Sequence, residues 1–167
     1  MQASFSRFDD ALIERAFQPL ADSITTRIGL DRLRIAGLCL DAASLAWIVS
    51  QAGALADAMT QSDPIAAVFR VVLLLLGLVA LTSLRTLFRR VGARTGANPL
   101  RVAMLPHRGI VLALLAARLP TLTGFAGMAD LAMLVFAACA LYLGACASRP
   151  PVQRNARIPL PLAGEAK

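Results

Sequence analysis

At 167 residues, with 57% in the hydrophobic set, 16% charged and a mean hydropathy of +0.66, the chain is too apolar for a water-soluble domain, where about a quarter of residues carry charge. A net charge of +7 and a pI near 10.9 would suggest nucleic acid in a soluble protein, but here the basic surplus lies in short connections between apolar runs and no aromatic residues interleave with it. Nucleic acid is therefore excluded as a partner. At roughly 20 residues per crossing, the apolar runs also leave no length for a separate catalytic domain.

Residues 1–30 read as a cytoplasmic amphipathic segment. Arg7, Arg15 and Arg27 mix with Asp9, Asp10, Glu14 and Asp22, which is not the basic start and immediate apolar core of a cleaved signal. Phe5, Phe8 and Leu12, then Ala16, Leu20 and Ile24, recur at three- and four-residue steps, predicting a helix broken or bent near Pro19. Such a helix lies on the membrane surface or against a partner helix. Gly29 supplies its stop, and Asp31 caps the next helix.

The membrane domain, residues 31–148, contains four apolar stretches at about 35–56, 65–88, 102–122 and 125–147. The third is the weakest by hydropathy, since Pro106, His107 and Arg108 interrupt its start. Residues 149–167, basic and proline-rich without periodicity, read as a disordered cytoplasmic tail. The expected fold is an all-α, polytopic transmembrane bundle of about four spans with an N-terminal amphipathic helix.

Basic residues set the orientation. Fifteen of the seventeen Lys and Arg fall before the first span, around the second connection or in the tail, and these regions share one side only with four crossings. The first connection instead carries Asp57 and Asp63. The positive-inside rule then places both ends in the cytoplasm, and the composition, rich in Ala, Leu and Arg, fits a bacterial inner membrane. Arg85, Arg89, Arg90 and Arg94 are candidates for contact with anionic headgroups.

Depth indicates which intramembrane charges can meet. Asp41, His107 and Arg108 share a level near the cytoplasmic side, while Arg70, Arg118 and Asp130 share another near the opposite face, with Asp130 pairing with Arg70 or Arg118. These groups act as interhelical clamps or as a proton or ion path, and two levels with nothing between them favour clamps. Small-residue rows at Ala42, Ala46, Ser50 and Ala54, and at Ala140, Gly144 and Ser148, mark close helix approach, as does the pair Ala113 and Ala117. Cys39, Cys139 and Cys146 lack metal-ligand spacing and read as packing residues.

Nucleotide-binding, zinc-protease and serine-hydrolase signatures are absent from the sequence, so an enzyme is not expected. No cofactor is expected in this chain alone; His107, its sole histidine, is the candidate axial ligand for a haem or pigment shared with a partner. Two functions survive. The chain is an accessory or structural subunit, or an assembly factor, of a larger membrane complex, with lipids and other membrane subunits as partners; the alternative is a small oligomeric transporter, channel or lysis-type pore. The apolar middle third of the helices favours the first, and a hetero-complex over a homo-oligomer.

Overall fold

A computed structural model describes residues 2–91, 98–121 and 124–147, so Arg94, Ser148 and the tail at 149–167 lie outside the described residues. The described chain is helical, with no strand among its residues. Helix α1 (Gln2–Leu12) continues through a π-helical turn (Ile13–Phe17) into α2 (Gln18–Ile28). Proline lacks the N–H of a helical residue, and its ring crowds the carbonyl one turn back, so a regular helix cannot pass through Pro19 unchanged. The chain widens just before it, with the Gln18 N–H reaching back to the Ile13 carbonyl.

That wider turn adds one residue to the register. The buried positions become Asp9, Ile13, Gln18 and Ala21, spaced by four, five and three residues. The apolar row expected from the sequence lies beside this face, not on it: Phe8 and Leu20 are 58% and 49% exposed, Ala16 is also exposed, and Phe5, Leu12 and Ile24 are half-buried. The row is thus available to the membrane surface while its polar-containing neighbour docks on the bundle. Gly29 ends α2 in the left-handed conformation, φ 70°, as expected of a glycine stop. Asp31 occupies the N-cap of the next helix through its extended backbone, but its carboxylate makes no capping bond.

Three helices are long and apolar enough to cross a membrane: α3 (Arg32–Thr60), α4 (Pro64–Val91) and α7 (Gly124–Ala145). The chain is a membrane protein. Asp63 starts α4 by accepting the Ile65 and Ala66 N–H groups at 3.1 and 3.0 Å. The third apolar stretch departs from the expected single span. It forms α5 (Pro99–Ala103), breaks at Met104, continues as α6 (Leu105–Arg118) and tightens into a 3-10 turn (Leu119–Thr121). Pro106 cannot donate to the preceding turn, so the hydrogen-bond ladder is interrupted where α5 would join α6. The 14 residues of α6 cover about 21 Å, less than the roughly 30 Å of a hydrocarbon core.

Helix α3 is central, with α4 on one side and α7 on the other, and α6 packs on α7. Its buried ridge is Ala36, Leu40, Ala43, Ser50 and Ala58, so the predicted small-residue row is displaced around the helix: only Ser50 is fully buried, while Ala42, Ala46 and Ala54 are half-buried. Two close approaches fix the neighbours. A Cβ on Gly77 would lie 2.2 Å from Nε1 of Trp47, whose indole N–H donates to the Leu74 carbonyl at 3.3 Å, and a Cβ on Gly144 would lie 2.8 Å from the Phe88 ring. Ala140 and Gly144 are therefore packing residues, as expected. Ala113 and Ala117 are exposed and make no such interface among the described residues. Phe88 is the only fully buried side chain described on α4, whose outer wall of Val71, Val72, Leu75, Leu76 and Val79 is exposed among the described residues.

Candidate functional site

The N-terminal layer meets the starts of α3 and α6 and the end of α7, and there the most deeply buried polar groups converge. The register of α1 turns Asp9 inward, towards Arg108 at the start of α6 and Tyr142 near the end of α7. The Arg108 guanidinium donates from Nε to both carboxylate oxygens at 3.0 and 3.2 Å and from Nη2 to Oδ2 at 2.6 Å. Nη2 also donates to the Arg101 carbonyl at 2.8 Å, and the Tyr142 hydroxyl donates to Asp9 Oδ1 at 2.9 Å. Both charged side chains are sealed from solvent, 0% and 1% exposed. The fork of arginine matches the carboxylate plane, so the pair is directional as well as charged.

Aromatic rings close this site. The guanidinium carbon of Arg108 lies 5.6 Å from the centre of the Tyr142 ring, and Phe17 stacks on that ring with centroids 4.7 Å apart. The Phe5 ring sits 3.2 Å from where a Cβ on Gly109 would stand, so glycine is what lets α1 approach α6. Arg108 Nη1 is buried without a hydrogen-bond partner among the described residues. Around the rim, Arg101 holds Asp10 at 2.8 Å and Glu14 at 2.9 Å. Hydrogen bonds to Glu14, then to Asp10, push its guanidinium above the usual arginine value.

The last carbonyls of α7 are satisfied from outside the helix. Asn98 donates through Nδ2 to the Gly144 and Cys146 carbonyls at 2.8 and 3.0 Å, while its Oδ1 accepts the Leu100 N–H and caps α5. Gln18 exchanges two hydrogen bonds with the Ala147 backbone, 2.9 and 3.3 Å long. These side chains meet the demand of a helix end for acceptor and donor partners. Gln18 thereby ties the N-terminal layer to the end of α7, and Asn98 ties α5 to it.

At the opposite end of the bundle, Asp130 accepts the Ser50 hydroxyl and lies 3.8 Å from Arg118, the pairing expected from depth. Arg70 takes no part in that pair. Arg108 and Arg118 are ten residues apart on α6, and Asp130 and Tyr142 twelve apart on α7, so the two clamps lie about 15–18 Å apart along the helices. The short α6 therefore runs antiparallel to α7 from one charged level to the other.

The other expected meeting, of Asp41 with His107 and Arg108, does not occur. Asp41 pairs instead with Arg85 on α4, 2.7 Å away and 37% exposed, because it faces α4 while α6 lies beyond α7. His107 is exposed, and no group of three or more His, Cys, Asp or Glu side chains able to hold a metal gathers among the described residues. Cys39 and Cys139 are half-buried free thiols, and buried Cys146 donates to the Tyr142 carbonyl. An open groove of about 580 Å³ separates the start of α3 from the end of α4, lined by Arg34, Asp41, Arg85 and Arg89 among others; Arg90 lies outside it.

Sequence reasoning missed Asp9 as the partner of Arg108, and with it Tyr142, Asn98 and Gln18. One signal was present: Phe5, Asp9 and Ile13 follow at steps of four, so the carboxylate stands in an apolar row where an unpaired charge is costly. Compared with protein-family models, curated proteins and solved structures, the chain matches none.

Proposed function

We propose that this chain is a non-catalytic accessory or structural subunit, or an assembly factor, of a larger complex in the bacterial cytoplasmic membrane. The use made of the charged side chains at the two ends of the bundle supports this reading most. Asp9, Arg108 and Tyr142 at one end, and Ser50, Asp130 and Arg118 at the other, join helices to one another, and no Asp, Glu, His, Lys or Arg on α6 or α7 stands between these levels. A transporter places its polar site near the midplane, which this arrangement leaves to apolar packing. A rigid scaffold needs no such site.

The outer wall of α4 is suited to a partner helix, being apolar, bulky and uncovered by any of the described residues. Charge supports a cytoplasmic placement of both ends. Arg34, Arg85, Arg89 and Arg101 cluster at the end that carries the N-terminal layer, and Asp57 and Asp63 lie at the other. The test is extraction of the native membrane in a mild detergent, followed by affinity purification of the tagged chain and its mass. Stoichiometric recovery with larger membrane subunits, lost on Leu75→Arg in the α4 wall, is the expected result. A lone homo-oligomer that conducts ions in liposomes would overturn the proposal in favour of a pore.

A further inference from the structure

The groove between α3 and α4 has two kinds of wall. Along α3 it runs from Leu33 to Asp41, eight residues on, or about 12 Å. Its mouth carries Arg34 and Arg89, from different helices, and neither is engaged by a described carboxylate. Arg85 uses Nη1 on Asp41 and keeps its other donors. Deeper in, Leu38 and Phe88 make the walls apolar, and at Gly37 a Cβ would meet no atom within 4 Å. The helix face is notched there and open.

We infer that this groove holds one anionic phospholipid, its phosphate between Arg34 and Arg89 and an acyl chain running past Gly37 along α3. The charge balance selects the headgroup. With Asp41 neutralised by Arg85, the mouth retains Arg34 and Arg89 against Asp31, a surplus of one positive charge that complements a headgroup of net charge minus one. A free phosphate has no use for the apolar walls, whereas a lipid meets both requirements at once. About 580 Å³ falls in the range of small-molecule sites. The site stands on the membrane setting of α3 and α4, and is independent of which partner subunit the chain serves.

The experiment is native mass spectrometry of the full chain released from nanodiscs of equal phosphatidylglycerol and phosphatidylethanolamine. One phosphatidylglycerol per chain is expected, enriched over phosphatidylethanolamine. Removing both free guanidinium groups, Arg34→Gln with Arg89→Gln, lowers retention at least about tenfold, the scale of losing charge-assisted hydrogen bonds. Arg15→Gln with Arg27→Gln, a change of equal charge outside the groove, leaves it unaltered. Gly37→Phe fills the notch and expels the lipid without lowering the unfolding temperature, which separates blockage from misfolding. Equal retention of phosphatidylethanolamine, an unchanged lipid count in the double arginine variant, or displacement by millimolar inorganic phosphate would each overturn the assignment.

Discussion

Replacing Arg108 by Met removes the cation but keeps an unbranched, flexible side chain in the same space. It leaves the Asp9 carboxylate, 1% exposed, with the Tyr142 hydroxyl alone, in place of the bidentate contacts at 2.6–3.2 Å. Orphaning one member of a buried pair costs about 3–5 kcal/mol. The molecule has an escape: if the N-terminal layer lifts off α6 and α7, Asp9 returns to water, so the cost falls on docking and leaves the spans intact. At about 1.4 kcal/mol per decade, the undocked population rises roughly 10²- to 10³-fold or more. Trypsin reads this directly, because Arg7 and Arg15 lie on the layer with exposed side chains and cleavage follows the open population when reclosing is fast. Cleavage at those sites should accelerate by about the same factor in detergent micelles, with α3, α4 and α7 still protected. Asp9→Leu combined with Arg108→Met should recover most of the protection, since an apolar pair removes both buried charges. Wild-type cleavage rates in Arg108→Met, or a double variant no better than the single, would refute the assignment of the pair as the docking lock.

Three further outcomes follow from other contacts. Gly77→Ala puts a methyl group 2.2 Å from the Trp47 indole and forces it out of its notch, costing about 1–3 kcal/mol; Trp47 is the sole tryptophan, so its emission maximum reports the displacement without interference. Asn98→Ala removes an N-cap and two bonds to the end of α7, an expected loss of about 1–3 kcal/mol in thermal unfolding, and it should speed alkylation of buried Cys146. Asp41→Asn, by contrast, weakens a pair whose members are 44% and 37% exposed and should shift stability by less than about 1 kcal/mol. A large loss there would mean that Asp41 sits in a dry interface.

Much of the helical architecture was legible because its causes are local. Apolar runs long enough for lipid mark α3, α4 and α7, and Gly29 marks the end of α2 because a left-handed turn suits glycine. Depth narrowed the partner of Asp130 to Arg70 or Arg118, which lie near the same end of the bundle, and the structure gives Arg118. Depth failed for Asp41 and Arg108. It is one coordinate, and the angle around the bundle is another: α3 stands between α4 and α7, so two residues at one level were directed to different neighbours. The N-terminal face failed for a related reason. A regular 3.6-residue period assigns Ala16 and Leu20 to the contact face, while the π-helical turn before Pro19 moves Gln18 and Ala21 there instead.

Sequence alone thus determined that this protein lives in a bilayer, about where its long apolar helices run, and which end of the bundle is basic, because burial in lipid acts on contiguous residues. Only the tertiary structure decided the partners of Asp9, Asp41 and Arg108. An ion pair needs two groups at the same depth, on facing helix sides and in compatible register, and that coincidence between Asp9 and Arg108, 99 positions apart, arises only when the helices are packed.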